Sequence, residues 1–474
     1  SSGGAAIGSG SNDSGETVVN IKGGTITKAK GGRYGGAGIG SGTYRDGKEK
    51  GDVTINITGG TIEKATGGSD YVSSSERWYS GAGIGGGYGS GTSTINIKDN
   101  AHIASAEGGE HGGAGIGSGL NSGKSIINIL KGTIDKVIGG RFAAGIGSGW
   151  SSASEVNISG GTLQTVTGGA CGAGIGGGFD GSSSDVTITG GTLQTVTGGE
   201  YAAGIGSGYD GGPSTVNISG DAKLDNVTGG ALAAGIGGGE LSKNVEVVID
   251  GGTIKATGGS AAAGIGSGFN GPSSVTIKSG TITATGSADS TSGSPGIGGN
   301  SADVTISGGN ITATGYDTGA GIGGSDNHNS SSITITGGTI TANGSKAPAI
   351  GNGSVSISNT DAPLDITATA PVANKAIQSS DGKTLDDVIR FKENDTLGLV
   401  TLVESGTYSI SRLFHNGFYA ANASSSHSPD RVTPEMSPEE KAQYGDISSV
   451  HNWKVSDRQE PNCGKDGYID YICM

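Results

Sequence analysis

Aromatic rings recur at one place in this chain, directly after a glycine tract: Tyr88, Trp150, Phe179, Tyr209 and Phe269, with Leu120 in the same place. Asp180, Asp210, Asn121 and Asn270 come next, residue types that start a turn. Rings repeated at a fixed rise would stack into a column. Such a column either plugs a corner of the core or offers ring faces with nearby carboxylates, suited to stacking on sugar rings. A second column precedes the tract, with Tyr34, His111, Phe142, Tyr201 and Leu232. Its tolerance of Cys171 and Ala261 points to packing. An insertion between Gly68 and Gly81 carries Tyr71, Arg77, Trp78 and Tyr79. It either covers the side of the molecule or holds a Trp–Tyr pair beside a guanidinium, fit for a sugar or a protein.

No other pattern reads as chemistry. His415, His427 and His451 lie near Asp430 and Asp446, but the spacing matches no metal template. The Gly-x-Gly tracts open no helix, so they are not phosphate loops. A paired-carboxylate glycosidase site is neither visible nor supported. No catalytic residue, metal or cofactor is expected. Cys463 and Cys473 bracket a short C-terminal loop and are expected to form a disulfide, which implies an oxidising, extracellular setting. Cys171 stands alone and reads as a small core residue.

Composition narrows the partners. The chain carries a formal net charge of −14 and has no basic stripe, so nucleic acid is not expected. No apolar run approaches the ~20 residues of a membrane span. Glycine supplies 100 of 474 residues without a Gly-X-Y triplet, which excludes collagen. The chain begins inside a repeat, at Ser1, and reads as a mature or excised piece of a longer protein.

What positions the rings is the repeat itself. The tract Gly-Ala-Gly-Ile-Gly-Ser-Gly returns about every 30 residues, centred on Ile7, Ile39, Ile84, Ile116, Ile146, Ile175, Ile205, Ile236, Ile265, Ile297, Ile322 and Ile350. Within one repeat, Val216 and Ile218 alternate with Thr215, Asn217 and Ser219, a half-buried strand. A Gly-Gly turn leads to a second strand that buries Leu193 and then Val196, three residues on, so a bend lies between them. The third strand, Ala202 to Gly208, is expected to bury Ala203 and Ile205 and to point Gly204 and Gly206 outward. That outward glycine face would suit assembly or a planar polymer. An Asn/Thr ladder on the first strand (Asn20, Asn56, Asn96, Asn128, Asn157, Thr187, Asn217, Thr276, Thr305 and Thr334) is expected to hydrogen-bond from coil to coil and hold register. Three strands per repeat make an all-β, right-handed parallel β-helix of about a dozen coils, a rod roughly 55–60 Å long.

The Val-Asn-Ile-Ser-Gly-Gly-Thr-Leu pattern at Val156 to Leu163 resembles the right-handed parallel β-helix superfamily that includes pectate lyases. The Gly-Ile-Gly-Gly-Gly tracts are similar to repeat regions of adhesin-like and carbohydrate-binding surface proteins of anaerobic gut bacteria. The resemblance covers residues 1–369. It implies the fold, while lyases of that superfamily would need an Asp cluster for Ca²⁺ with an Arg or Lys base, a set that adjacent coils here do not supply. Residues 370–383 read as a transition and 384–474 as a C-terminal module that caps the solenoid or contacts a partner. The expected function is an extracellular structural or adhesive solenoid, a fibre or stalk on a cell or phage surface, with self-association or a surface partner. A non-catalytic carbohydrate-binding β-helix is the first alternative. A polysaccharide lyase or hydrolase with an unrecognised site is the second.

Overall fold

The computed structural model describes residues 3–44, 51–73, 77–180, 183–290, 292–325, 331–358, 363–371, 376–383, 388–389, 398–404, 408–414, 418–424, 453–459 and 468–473. The chain winds as a right-handed parallel β-solenoid of about 12 turns. Each coil pairs only with the coils before and after it. Ile146 lies in register with Ile175, Ile175 with Ile205, Ile205 with Ile236, and Ile236 with Ile265. The first strands stack likewise, Val156 on Val186 and Val186 on Val216.

Five aliphatic positions per coil make the core. In one coil they are Val186, Ile188, Leu193, Val196 and Ile205, all without solvent exposure. Burying each contributes roughly 1.5–3 kcal/mol, and the contribution repeats at every coil. The expected bend on the second strand is present: in Thr162–Thr167 and Thr192–Thr197, Leu163 and Val166 pair with Leu193 and Val196, while the residue after each leucine falls outside the ladder register. Two coils later the strand runs straight, and Ile254 and Ala256 are buried two residues apart.

The amide ladder forms over its N-terminal part, from Asn20 to Asn157. Asn56 donates to Asn20 at 2.9 Å, Asn96 to Asn56 at 2.9 Å, Asn128 to Asn96 at 2.9 Å and Asn157 to Asn128 at 3.1 Å. Each amide thus ties two coils, and a one-residue slip would break the whole row. A second ladder lies inside the tract. The Ser148 hydroxyl accepts from the Gly178 N–H at 2.7 Å, and Ser207 accepts from Gly239 at 2.9 Å.

The glycine tract departs from expectation. Only two of its residues are strand, as in Ile205–Gly206, and the glycines flanking the isoleucine do not face outward. Gly204 is buried, and a Cβ there would lie 2.6 Å from the Gly235 carbonyl oxygen and 2.7 Å from the Val227 Cγ1. Gly206 has φ of 132°, and its missing Cβ would overlap the Gly237 carbonyl oxygen of the next coil. The tract is glycine because backbone meets backbone there, so the smooth outward face does not exist and lends nothing to assembly.

The turn after the tract uses the left-handed backbone region. Asn121, Ser151, Asp180, Asp210 and Asn270 have φ between 46° and 68°, which Asn and Asp tolerate best. Leu241 takes the same conformation at φ 56° and is 40% exposed. Leu241→Asn is therefore expected to stabilise the protein by about 1 kcal/mol, read as a higher denaturant midpoint at unchanged slope. A lower midpoint would mean that the leucine packs usefully.

Towards the C-terminus Gly398–Glu404 pairs in parallel with Leu364–Ala370 and then antiparallel with Tyr408–Phe414, which pairs with Phe418–Ser424. Trp453–Gln459 and Tyr468–Cys473 form a separate antiparallel pair. The expected Cys463–Cys473 disulfide lies outside the described residues, as do His415, His427 and His451 with Asp430 and Asp446.

Candidate functional site: an aromatic ridge on one corner

The tract closes on itself, because the Ala203 N–H donates to the Ser207 carbonyl at 3.1 Å. Residues on either side of the tract therefore emerge together. Tyr201 and Tyr209 have ring centroids 5.6 Å apart. The residue after the tract also donates its N–H to the residue before the tract in the preceding coil. Phe179 bonds the Phe142 carbonyl at 3.0 Å, Tyr209 bonds Cys171 at 3.0 Å, and Phe269 bonds Leu232 at 2.9 Å. The two columns read separately in the sequence are thus one ridge, two residues wide.

Its centre is continuous. Phe142 lies 4.9 Å from Trp150 and 5.5 Å from Phe179, Trp150 lies 5.7 Å from Phe179, and Phe179 stacks on Tyr209 at 5.5 Å with ring planes 6° apart. The rings of Phe142, Trp150, Phe179, Tyr201, Tyr209 and Phe269 are all half-buried. The rings of Phe142, Trp150, Phe179, Tyr209 and Tyr201 each pack on a neighbouring ring and keep part of their surface in water, so the column is neither a buried plug nor a row of free rings. Leu120 and Cys171 are the buried members, and burial pushes the Cys171 thiol above its ordinary value, away from a reactive thiolate.

The insertion folds as an antiparallel hairpin, Ser69–Val72 with Arg77–Ser80, in which Trp78 faces Tyr71. The hairpin lies down on the N-terminal part of the ridge. Tyr79 is buried between Tyr34, at 5.9 Å, and Tyr88, at 4.6 Å. Trp78 stacks on His111 at 3.3 Å and lies 4.4 Å from Tyr71, which is 44% exposed. Burial holds His111 below the usual imidazole range, which favours a neutral ring against the indole. The Arg33 guanidinium bonds Asp70 at 2.7 Å and ties the hairpin to the preceding coil. Of the four insertion residues singled out, Tyr79 belongs to the packing. Tyr71 and Arg77 stand exposed, and Trp78 is half-buried.

The turn carboxylates fall beside the rings. Asp180 accepts from the Ser151 hydroxyl at 3.2 Å, and Asp210 pairs with Lys243 at 3.6 Å. Sequence reading missed Glu240. Its N–H bonds the Tyr201 carbonyl at 2.9 Å and its carbonyl accepts from Asp210 at 2.9 Å, the bonds made by the ring residue in other coils. Glu240 therefore occupies the ring column itself, between Tyr209 and Phe269. The Gly-Gly-Gly-Glu-Leu run at 237–241, aligned on Gly-Ser-Gly-Tyr-Asp at 206–210, was the signal for it. Among the described residues no group of three or more His, Cys, Asp or Glu side chains is placed to hold a metal, and no helix is long and apolar enough to cross a membrane.

Comparison with known families agrees with the coil geometry. The model described as "Beta helix repeat" matches residues 19–43, 55–88, 156–179, 186–209, 247–269, 275–301, 304–326 and 333–354. These segments run from the first strand of a coil through the glycine tract. No curated protein and no solved structure matches the chain.

Proposed function

We propose that this right-handed solenoid of beta helix repeats is a non-catalytic, extracellular adhesive rod that lays a polysaccharide along its aromatic ridge. The observation that carries the reading is the column Trp150, Phe179 and Tyr209, whose rings follow one another from coil to coil at 5.7 and 5.5 Å, with Phe142 and Tyr201 beside its two ends. A ligand matched to that run is itself long and periodic, with apolar ring faces and polar edges, as pyranose chains are. Beta helix repeats occur in enzymes and in binding proteins alike, so the assignment rests on the ridge rather than on the fold.

Affinity electrophoresis against neutral, cationic and anionic polysaccharides tests this. The protein is expected to be retarded by at least one polymer, without release of new reducing ends or unsaturated products. The double variant Phe179→Ala/Tyr209→Ala is expected to weaken retention by about tenfold or more, equivalent to ~1.4 kcal/mol, with an unchanged far-UV spectrum. Retention indifferent to the ring variants, or turnover of any polymer, would overturn the reading.

A further inference from the structure

The ridge is not chemically uniform along its length: Glu240 interrupts its ring column with a carboxylate. Glu240 stands in the ring column with Tyr209 on the coil before, Phe269 on the coil after and Tyr201 beside it. Glu200 precedes Tyr201, and the Tyr201 hydroxyl is held above its ordinary value first by the neighbouring Glu200 carboxylate, with the charge of Glu240 adding a smaller push. Two carboxylates thus share one aromatic neighbourhood. Asp210, the third acid there, is already matched by Lys243 at 3.6 Å. Among the described residues no lysine or arginine lies within ion-pair distance of Glu240 or Glu200.

Resting on the glycan-binding reading, we infer that the ridge around Glu240 is a subsite for an ammonium-bearing sugar, so that the preferred polymer is a cationic amino-sugar chain. The chemistry is complementary on two counts. A ring face attracts a cation by its quadrupole, and an unmatched carboxylate beside that face adds direct Coulomb attraction. A uronate polymer meets the opposite conditions: it would bring like charge to Glu200 and Glu240 on a chain that already carries −14. A neutral polymer can stack but gains nothing from the acids. Partial burial holds Glu240 above the ordinary carboxylate range. Its contribution is therefore present at neutral pH and fades as pH falls through that raised value.

The test uses the whole chain and compares a chitosan oligomer, its fully N-acetylated counterpart, polygalacturonate and polylysine, by calorimetry at low and high salt. The chitosan oligomer is expected to bind about tenfold or more tightly than the acetylated oligomer, with the difference shrinking at high salt. Glu240→Gln, isosteric and half-buried, is expected to abolish that preference, bringing binding of the chitosan oligomer down about tenfold towards that of the acetylated one. Equal binding of acetylated and free-amine oligomers, binding of polygalacturonate, or a preference unchanged in Glu240→Gln would each overturn the inference while leaving the ridge reading standing. Polylysine binding as tight as chitosan would overturn the sugar assignment in favour of a basic protein. Failure of all four probes, together with retention that ignores the ring variants, would remove both.

Discussion

Gly206→Ala is expected to destabilise the solenoid by about 4 kcal/mol, whereas Gly177→Ser in the neighbouring coil should leave stability unchanged or slightly raised. Two separate penalties meet at Gly206. Its φ of 132° lies where an L side chain is strained, at about 1–3 kcal/mol. Its new Cβ would also overlap the Gly237 carbonyl oxygen, and that oxygen belongs to the coil stacked above, so relief requires the two coils to separate. Overpacking of that kind adds about 1–3 kcal/mol. Gly177 lies one place further along its own tract, where φ is ordinary and a Cβ would meet Gly208 N at 3.1 Å. Other coils carry serine there, Ser148 and Ser207, whose hydroxyls accept the next coil's glycine N–H. The serine introduced at Gly177 should do the same for Gly208. Denaturant unfolding of both variants checks this, and equal losses at the two positions would mean that the tract tolerates no side chain for some reason other than backbone contact.

That contrast also marks how far the sequence could be read. The coil was legible because Val216, Ile218, Leu193, Val196 and Ile205 recur at a fixed period, and burial with that period admits only a stack. The bend between Leu193 and Val196 was legible for the same reason. The outward placement of Gly204 and Gly206 was not, because strand alternation was carried across a tract where just two residues are strand. A positive φ at Gly206 resets which way the chain faces, and no count of apolar residues registers it. The ridge was half legible. The ring columns appear in the sequence, but Tyr201 and Tyr209 are eight residues apart and meet only through the Ala203–Ser207 closure, a hydrogen bond with no signature in side-chain type. Glu240 escaped notice because a search for rings passes over the coil that lacks one.

Removing one whole coil, residues 151–179, is expected to leave a folded, shorter rod, whereas removing residues 151–165 should cost about 5 kcal/mol or more. In the first variant Trp150 joins Asp180, and every strand of the coil before meets its equivalent two coils on. Ile127 would pack on Val186, Ile129 on Ile188, Ile134 on Leu193, Val137 on Val196 and Ile146 on Ile205, each pair matching the types that pack in the intact chain. Because each coil contacts only its neighbours, stability loses one repeat and one interface and little else. The half-coil deletion removes Val156, Ile158 and Leu163, all buried, while keeping Val166 and Ile175 in a coil that cannot close. Each of the three removed side chains contributes roughly 1.5–3 kcal/mol, and the ladder above and below is left unpaired. Far-UV dichroism, denaturant midpoint and gel filtration separate the outcomes. Equal damage from both deletions would show that coils 151–179 and 180–209 are not interchangeable and that the stack depends on long-range contacts. The full-coil variant also brings Trp150 next to Tyr209 on the ridge, so it should retain polymer binding. A folded deletion that no longer binds would locate the contact at Phe179 rather than along the ridge as a whole.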